Sequence, residues 1–378
     1  RYFNFMCTKC YCGHLFSIHS LMSLFWIAGE PSGDVQAAAV ARYITAHHPE
    51  VKQWGWGGQF LEEAGVTLLK DVTKKPFMGF VEVVVRARSI YKSFAAVKSQ
   101  ILSSGATTVV LVDYPGFNLR MAKWSKAQGL RVVYYIPPKV WAWKSGRAQI
   151  LKAHCDAVLG ILPFEKRWYS ERDIHYTYVG NPLAQKYAGS NAYSPTGSIA
   201  LLPGSRSQEI ARLLPEFIKV AKSMQERSFV LIRPESAVPV WPEIELPKNT
   251  TLFTGELKDG MRQCSAALVC SGTATLEVAL LGVPQLVVYR ANPISLAIAK
   301  RFVKVNYISL PNLILDAGAL PELLQEAAGG ASLLQRLRVL IEHPSDQFIA
   351  YVKLRKALEE KDPAATAAEH ILAVSSEA

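Results

Sequence analysis

Short, wholly apolar runs alternate with longer stretches of helical period along most of this chain. Residues 24–28 (LFWIA) read as a strand, 29–34 as a turn and 35–48 as a helix. Residues 107–113 (TTVVLVD) form a second buried strand, followed by a loop and a helix over 119–128. Residues 130–136 and 157–162 add two further strands. Strands with β-branched residues on both faces, separated by helices, belong to a parallel sheet covered on both sides.

The pattern breaks at 181–197, where Gly, Ser, Asn, Pro and Tyr replace the periodic runs and predict a linker. It then restarts. Strands are expected at 198–202, 229–233, 250–253, 266–270 and 285–289, with helices at 207–227, 261–264 and 273–281. Charged helices at 346–361 and 364–374 close the chain. The organisation expected is therefore a first domain over 22–183, a linker over 184–197 and a second domain over 198–345. The helices of 346–378 then pack back on the first domain or on a partner subunit. The fold class is α/β, two Rossmann-like doubly wound domains facing a central cleft, since such sheets bind ligands beyond the carboxyl ends of their strands.

Composition agrees with this size. The 378 residues are 50% hydrophobic and 19% charged, enough to bury two cores. No apolar run reaches the roughly 18–20 residues of a membrane span. Residues 1–21 lack any period and read as an extension, with the functional protein starting near Met22. Cys7, Cys10 and Cys12 fall there; a metal site would need a fourth ligand such as His14 or His19, and none is expected. Cys155, Cys264 and Cys270 read as reduced, buried thiols.

Charge is uneven. Residues 22–182 carry 20 basic against 12 acidic side chains, whereas residues 183–378 carry 20 against 19. A basic first half implies an anionic partner: a phosphate, a membrane surface or a nucleic acid.

Five segments carry candidate chemistry. Gly29, Glu30, Pro31, Ser32, Gly33 and Asp34 end the first strand and open a helix, where Ser32 or Asp34 can cap and the N-terminus can take an anion or hydroxyl. Asp113 closes an apolar strand, where partial desolvation suits a general base; a helix cap is the alternative. Residues 136–144 (IPPKVWAWK) interleave two tryptophans with cations, a surface for a base, a sugar or a membrane interface, or core packing for one of the rings. Gly204, Ser205 and Arg206 form a strand–turn–helix cradle for a diphosphate. Ser271, Gly272 and Thr273 repeat that arrangement, with Glu277 one helical turn on, placed for a ribose hydroxyl or as a capping carboxylate.

Taken together, AGEPSGD (28–34), PFMGFVEV (76–83), VDYPGFN (112–118), PPKVWAWK (137–144), LPFEKRWY (162–169), VGNPL (179–183), LLPGSR (201–206), SGTATLE (271–277) and NYISLPNLI (306–314) resemble the lipid-A-disaccharide synthases of Gram-negative lipid A assembly. The resemblance runs from residue 24 to the C-terminal helices. It implies a GT-B fold and an inverting transfer of 2,3-diacylglucosamine from UDP-2,3-diacylglucosamine to the 6-hydroxyl of 2,3-diacylglucosamine 1-phosphate. It implies no cofactor and no metal, so Arg206 and helix N-termini would stabilise the departing UDP. Asp113 matches the essential aspartate, Arg206 the diphosphate arginine, and Ser271, Thr273 and Glu277 the nucleotide positions. Asn312 lies in a matching polar motif near the cleft.

The sequence departs from that family at three positions. Pro31 replaces an alanine, Gly116 replaces a second aspartate, and Pro138 replaces a serine. The loss at Gly116 leaves Asp113 as the sole candidate base.

Both implied substrates carry acyl chains. Phe77, Met78, Phe80 and Val81, followed by Arg86, Arg88, Lys92 and Lys98, suit docking to an inner-membrane phospholipid surface; a buried core helix is the alternative. The implied location is cytoplasmic, on the inner face of the cytoplasmic membrane, with a homodimer possible through the C-terminal helices and no nucleic acid partner. Two other readings compete. One is another UDP-sugar enzyme of the same fold, such as a UDP-N-acetylglucosamine 2-epimerase or the lipid II glycosyltransferase. The other is a non-catalytic membrane or nucleic-acid binding protein.

Overall fold

The computed structural model describes residues 22–73, 87–142, 145–292, 305–359 and 361–377. The first sheet contains β1 (Ser23–Ala28), β2 (Lys52–Gly57), β3 (Thr67–Asp71), β4 (Thr108–Val112), β5 (Arg131–Tyr135), β6 (Ala157–Gly160) and β7 (Tyr176–Tyr178). Their order is β3-β2-β1-β4-β5-β6-β7. Every pairing is parallel, with Trp26 opposite Gly55 on one side and Val110 on the other. Its helices are α1 (Pro31–His47), α2 (Gln59–Glu63), α3 (Ala87–Ser104), α4 (Pro115–Ala127), α5 (Ala148–His154), α6 (Glu165–Ser170) and α7 (Pro182–Lys186).

The second sheet contains β8 (Tyr193–Leu202), β9 (Phe229–Arg233), β10 (Thr250–Thr254), β11 (Cys264–Cys270), β12 (Gln285–Tyr289) and β13 (Glu322–Leu324), in the order β10-β9-β8-β11-β12-β13. It is also parallel throughout. The helices that follow are α8 (Ser207–Ser223), α9 (Leu257–Gly260), α10 (Thr273–Leu280), α11 (Leu310–Leu315), α12 (Gly330–Glu342), α13 (Ser345–Leu358) and α14 (Pro363–Ser376).

Alternation along the central strands builds a core on each face of each sheet. Leu24, Trp26 and Ala28 pack with Val110 and Val112 on one side, while Phe25 and Ile27 pack with Val109 and Leu111 on the other. In the second sheet, Ile199 and Leu201 face α8 and α12, and Ala200 and Leu202 share a core with Tyr351, Leu354 and Leu358 of α13. Trp141 and Leu162 of the first domain join that second core. The last helix crosses back. Ala367, Ala368 and Ile371 of α14 complete the first domain's core beside α1, and the Tyr178 hydroxyl donates to the Leu358 carbonyl at 2.5 Å.

Several boundaries differ from the sequence reading. Residues 193–197, expected in the linker, already belong to β8. Helix α1 starts at Pro31, inside the expected turn, because proline's fixed φ suits a first helical position that needs no N–H. Neither Ser32 nor Asp34 caps it; the N-cap is Glu30, without a side-chain cap. Asp34 accepts instead from the Gly58 N–H at 2.7 Å and the Phe60 N–H at 3.1 Å, closing the start of α2. Residues 261–264, expected as a helix, are the turn after α9 and the first residue of β11.

Candidate active site

Each sheet reverses strand order once, between β1 and β4 and between β8 and β11. Crevices open beyond the carboxyl ends at such points. The segments after β1 and β4 carry Glu30 and Asp113; those after β8 and β11 carry Gly204–Arg206 and Ser271–Thr273.

Asp113 and Tyr114 both sit in the left-handed region, with φ of 46° and 48°, a conformation non-glycine residues hold only when their surroundings enforce it. Here two buried side chains do so. The Asn118 amide donates to the carbonyls of Ile27, Val112 and Asp113 at 3.3, 3.1 and 2.9 Å. The Tyr134 hydroxyl donates to the Asp113 carbonyl at 2.7 Å. Tyr114 then lies over the first loop: a Cβ on Gly29 would fall 2.3 Å from its ring, so that position accepts only glycine without rearrangement. Burial raises the proton affinity of the Asp113 carboxyl above the usual range, opposed by the Tyr114 backbone N–H and the Lys139 charge. Glu30 is raised too, first by burial and then by the Asp113 charge, with Arg206 acting the other way. Glu30 therefore stands within electrostatic reach of the base candidate and of the arginine across the cleft.

In the second domain, Gly204, Ser205, Arg206, Ser271, Gly272, Thr273 and Glu277 line one cavity of about 580 Å³. The cradle after β8 is not vacant. Glu209 accepts the N–H groups of Ser205 and Arg206 at 3.2 and 3.3 Å, and its other oxygen pairs with the Arg206 guanidinium at 2.8 Å. Glu209, the third residue of α8, thus reaches back to the N-cap Arg206, the carboxylate half of a capping box; a carboxylate already holds the donors where a diphosphate is expected. Gly204 has a φ of +114°, and a Cβ there would meet Glu209 Oε2 at 2.6 Å. The Ser271 hydroxyl donates to the Ile308 carbonyl at 2.9 Å, whereas Thr273 is exposed. Glu277 accepts the Tyr187 hydroxyl at 2.8 Å and, largely through burial, holds its proton more tightly than an exposed glutamate.

Asn312 does not line this cavity. It is fully buried, donating to the Leu320 carbonyl and to Glu322 and accepting the Leu320 N–H. Glu322 in turn accepts from the N–H groups of Ile308 and Ser309 and from the Ser309 hydroxyl. Asn312 thus supports the turn that receives Ser271, and all its polar groups are engaged inside the protein. Ser32 is exposed at the start of α1, and Gly33 and Asp34 are buried beneath it. Phe77, Met78, Phe80, Val81 and Arg86 lie outside the described residues, as do Trp143, Lys144 and all of 1–21. Lys98 stands 5.4 Å from the Trp124 ring centroid.

Glu165 and Glu209 were not singled out by sequence, and Lys139 was named only as one of the cations of the 136–144 segment. Lys139 lines the cavity from the first domain. Glu165, buried, accepts from Trp141 Nε1 and the Tyr176 hydroxyl, both at 2.7 Å, and burial raises it to about 7. Glu209 had one available signal, an acidic residue in the first turn of the helix that follows Arg206. Among the described residues no cluster of three or more His, Cys, Asp or Glu could hold a metal ion, and no helix is long and apolar enough to cross a membrane.

Two parallel doubly wound domains with their switch points across a shared cleft define the GT-B fold. The likeness to the solved glycotransferase of kitacinnamycin has a TM-score of 0.66 at 12% identity, covering 93% of this chain and 99% of that one. The lipid-A-disaccharide synthetase family model matches residues 24–375, and the chain belongs to that family. It is 35% identical to the lipid-A-disaccharide synthase of Trichlorobacter lovleyi over 80% of this chain and 83% of that protein. It is 34% identical to that of Pseudomonas entomophila over 92% and 97%. Membership makes the chain a lipid-A-disaccharide synthase, an enzyme with a UDP-sugar donor and a lipid acceptor.

Proposed function

We propose that the donor is UDP-2,3-diacylglucosamine, that the acceptor is 2,3-diacylglucosamine 1-phosphate, and that Asp113 is the general base of an inverting transfer. The acceptor's 6-hydroxyl gives its proton to the Asp113 carboxylate as its oxygen attacks the donor's anomeric carbon from the face opposite UDP. The bond from that carbon to the diphosphate oxygen breaks, and the β-1,6 disaccharide 1-phosphate and UDP leave. Arg206, whose side chain is 77% exposed beside Glu209, and the N-terminus of α10 meet the charge that grows on the departing diphosphate. Glu277 takes a ribose hydroxyl.

The observation that carries this reading is geometric: Glu30 and Asp113 follow the strands at one switch point, and Arg206 with Ser271–Thr273 follows those at the other, lining a cavity that Lys139 of the first domain also lines. A group that must be ionised at neutral pH yet basic enough to take a proton benefits from partial burial. The test is an assay of the purified chain with both diacylated substrates, wild type beside Asp113→Asn. Full activity in the variant overturns the base assignment, and no disaccharide from the wild type overturns the substrate pair.

The same reading places the enzyme at the inner face of the cytoplasmic membrane through Phe77, Met78, Phe80 and Val81. Met78→Ser with Phe80→Ser should weaken liposome binding and raise the acceptor's KM; unchanged values in both would remove this segment from the docking surface. It also includes a homodimer, for which Ile349 and Val352, 59% and 70% exposed on α13, offer an apolar face. Light scattering of the purified chain decides between one copy and two.

A further inference from the structure

We propose that Lys139 binds the diphosphate of the nucleotide sugar, bringing a cation from a loop of the first sheet into a site built mainly by the second domain. The inference rests on the nucleotide-sugar reading above. Lys139 is the one residue from the loops of the first sheet that lines the cavity formed by Gly204–Arg206 and Ser271–Thr273, among the described residues.

Its placement is built into the fold. Pro137, Pro138 and Val140 are buried on either side of an exposed Lys139. The turn is closed by the Val140 N–H to the Pro138 carbonyl at 2.6 Å and the Ala142 N–H to the Lys139 carbonyl at 3.1 Å. Two residues on, Trp141 is anchored by its 2.7 Å hydrogen bond to Glu165 and by the second domain's core. A flexible stem on a fixed loop can follow a charged ligand without moving the backbone.

Charge in the cavity supports the same assignment. The two other cations lining it are already paired, Arg206 with Glu209 at 2.8 Å and Lys186 with Glu256 at 2.7 Å. A diphosphate entering beside those carboxylates needs positive charge that they have not neutralised. Lys139 lines the donor cavity and is also within electrostatic reach of Asp113 and Glu165. A cation there attracts the leaving group as its negative charge develops and draws the two domains together over the donor.

The experiment compares UDP and uridine binding by calorimetry on the full chain, in the wild type, Lys139→Met and Lys139→Arg. Lys139→Met is expected to weaken UDP about tenfold, the loss of one charge-assisted contact, and to leave uridine unchanged. Lys139→Arg should retain most of the UDP affinity. Wild-type UDP affinity in Lys139→Met, while the wild type still prefers UDP to uridine, overturns the assignment of Lys139 alone. That result with a rise in the acid limb of the kcat–pH profile also overturns it and assigns Lys139 to Asp113. A wild type that binds UDP no better than uridine overturns the donor reading and this inference together.

Discussion

Glu165 and Trp141 meet in a buried hydrogen bond of 2.7 Å that ties the start of α6 to the loop carrying Lys139. The second oxygen of Glu165 accepts from Tyr176 at 2.7 Å, and Tyr169 stacks on Tyr176 with centroids 5.0 Å apart. Burial, the largest influence, pushes the carboxyl up to about 7, against the pull of the two hydrogen bonds and of Lys139. An acid that holds its proton more tightly when folded stabilises the fold most below its unfolded value, and that stabilisation is lost as pH rises through 7. Thermal unfolding should therefore show Tm falling between pH 5 and pH 8 by about 2–4 °C per kcal/mol lost. Glu165→Gln should flatten that dependence.

Asp113→Asn should lower kcat by about 10²–10⁴-fold, the range for removal of a general base, with UDP affinity unchanged. Because burial raises this carboxyl, the acid limb of the wild-type kcat profile should lie above the ordinary aspartate value of about 3.9. Activity rises with pH through that limb, since the base works only when ionised. A pH-rate profile on the wild type and a UDP titration on the variant check both statements.

Gly29 and Gly116 make a matched pair. A methyl group at Gly29 collides with the Tyr114 ring at 2.3 Å, whereas a Cβ at Gly116 meets nothing within 4 Å. Gly29→Ala should cost about 1–3 kcal/mol as Tyr114 is displaced, and turnover should fall with it. Gly116→Asp should fold as the wild type does. Denaturant titration of the two variants separates them.

Arg206→Ala should weaken UDP by about tenfold or more, as expected for loss of a charged hydrogen-bonding partner, while leaving the fold intact because the guanidinium is 77% exposed. Glu209→Ala removes the carboxylate that holds the Ser205 and Arg206 N–H groups and should cost about 1 kcal/mol of stability. Calorimetric titration with UDP and a thermal melt of each variant read the two effects independently.

The doubly wound pattern is legible because the central strands are buried on both faces and stay apolar from end to end. β9 and β12 fall at the expected residues for that reason. β2 escapes the reading because Gly55 and Gly57 break its apolar run; a Cβ on Gly55 would lie 2.8 Å from the Trp26 carbonyl. β7 and β13 are edge strands of three residues, too short to show a period. The loops carrying Glu30, Asp113, Arg206 and Ser271 are visible in sequence because they follow strand ends. Side-chain pairings within them are not. Glu209 at the Ser205 and Arg206 N–H groups, Asp34 on the Gly58 N–H, and Asn312 enclosed by Leu320 and Glu322 all depend on partners that the fold supplies.

The return of α14 to the first sheet has a consequence for synthesis. Ala367, Ala368 and Ile371 fill the space beside α1 that strands β1 and β4 leave open. A nascent chain that has emerged only as far as the linker lacks the helix that covers that face. The first half made is thus finished late: its core stays incomplete until α14 has been made, and removing α14 should injure the Asp113 domain rather than the one to which it is nearest in sequence.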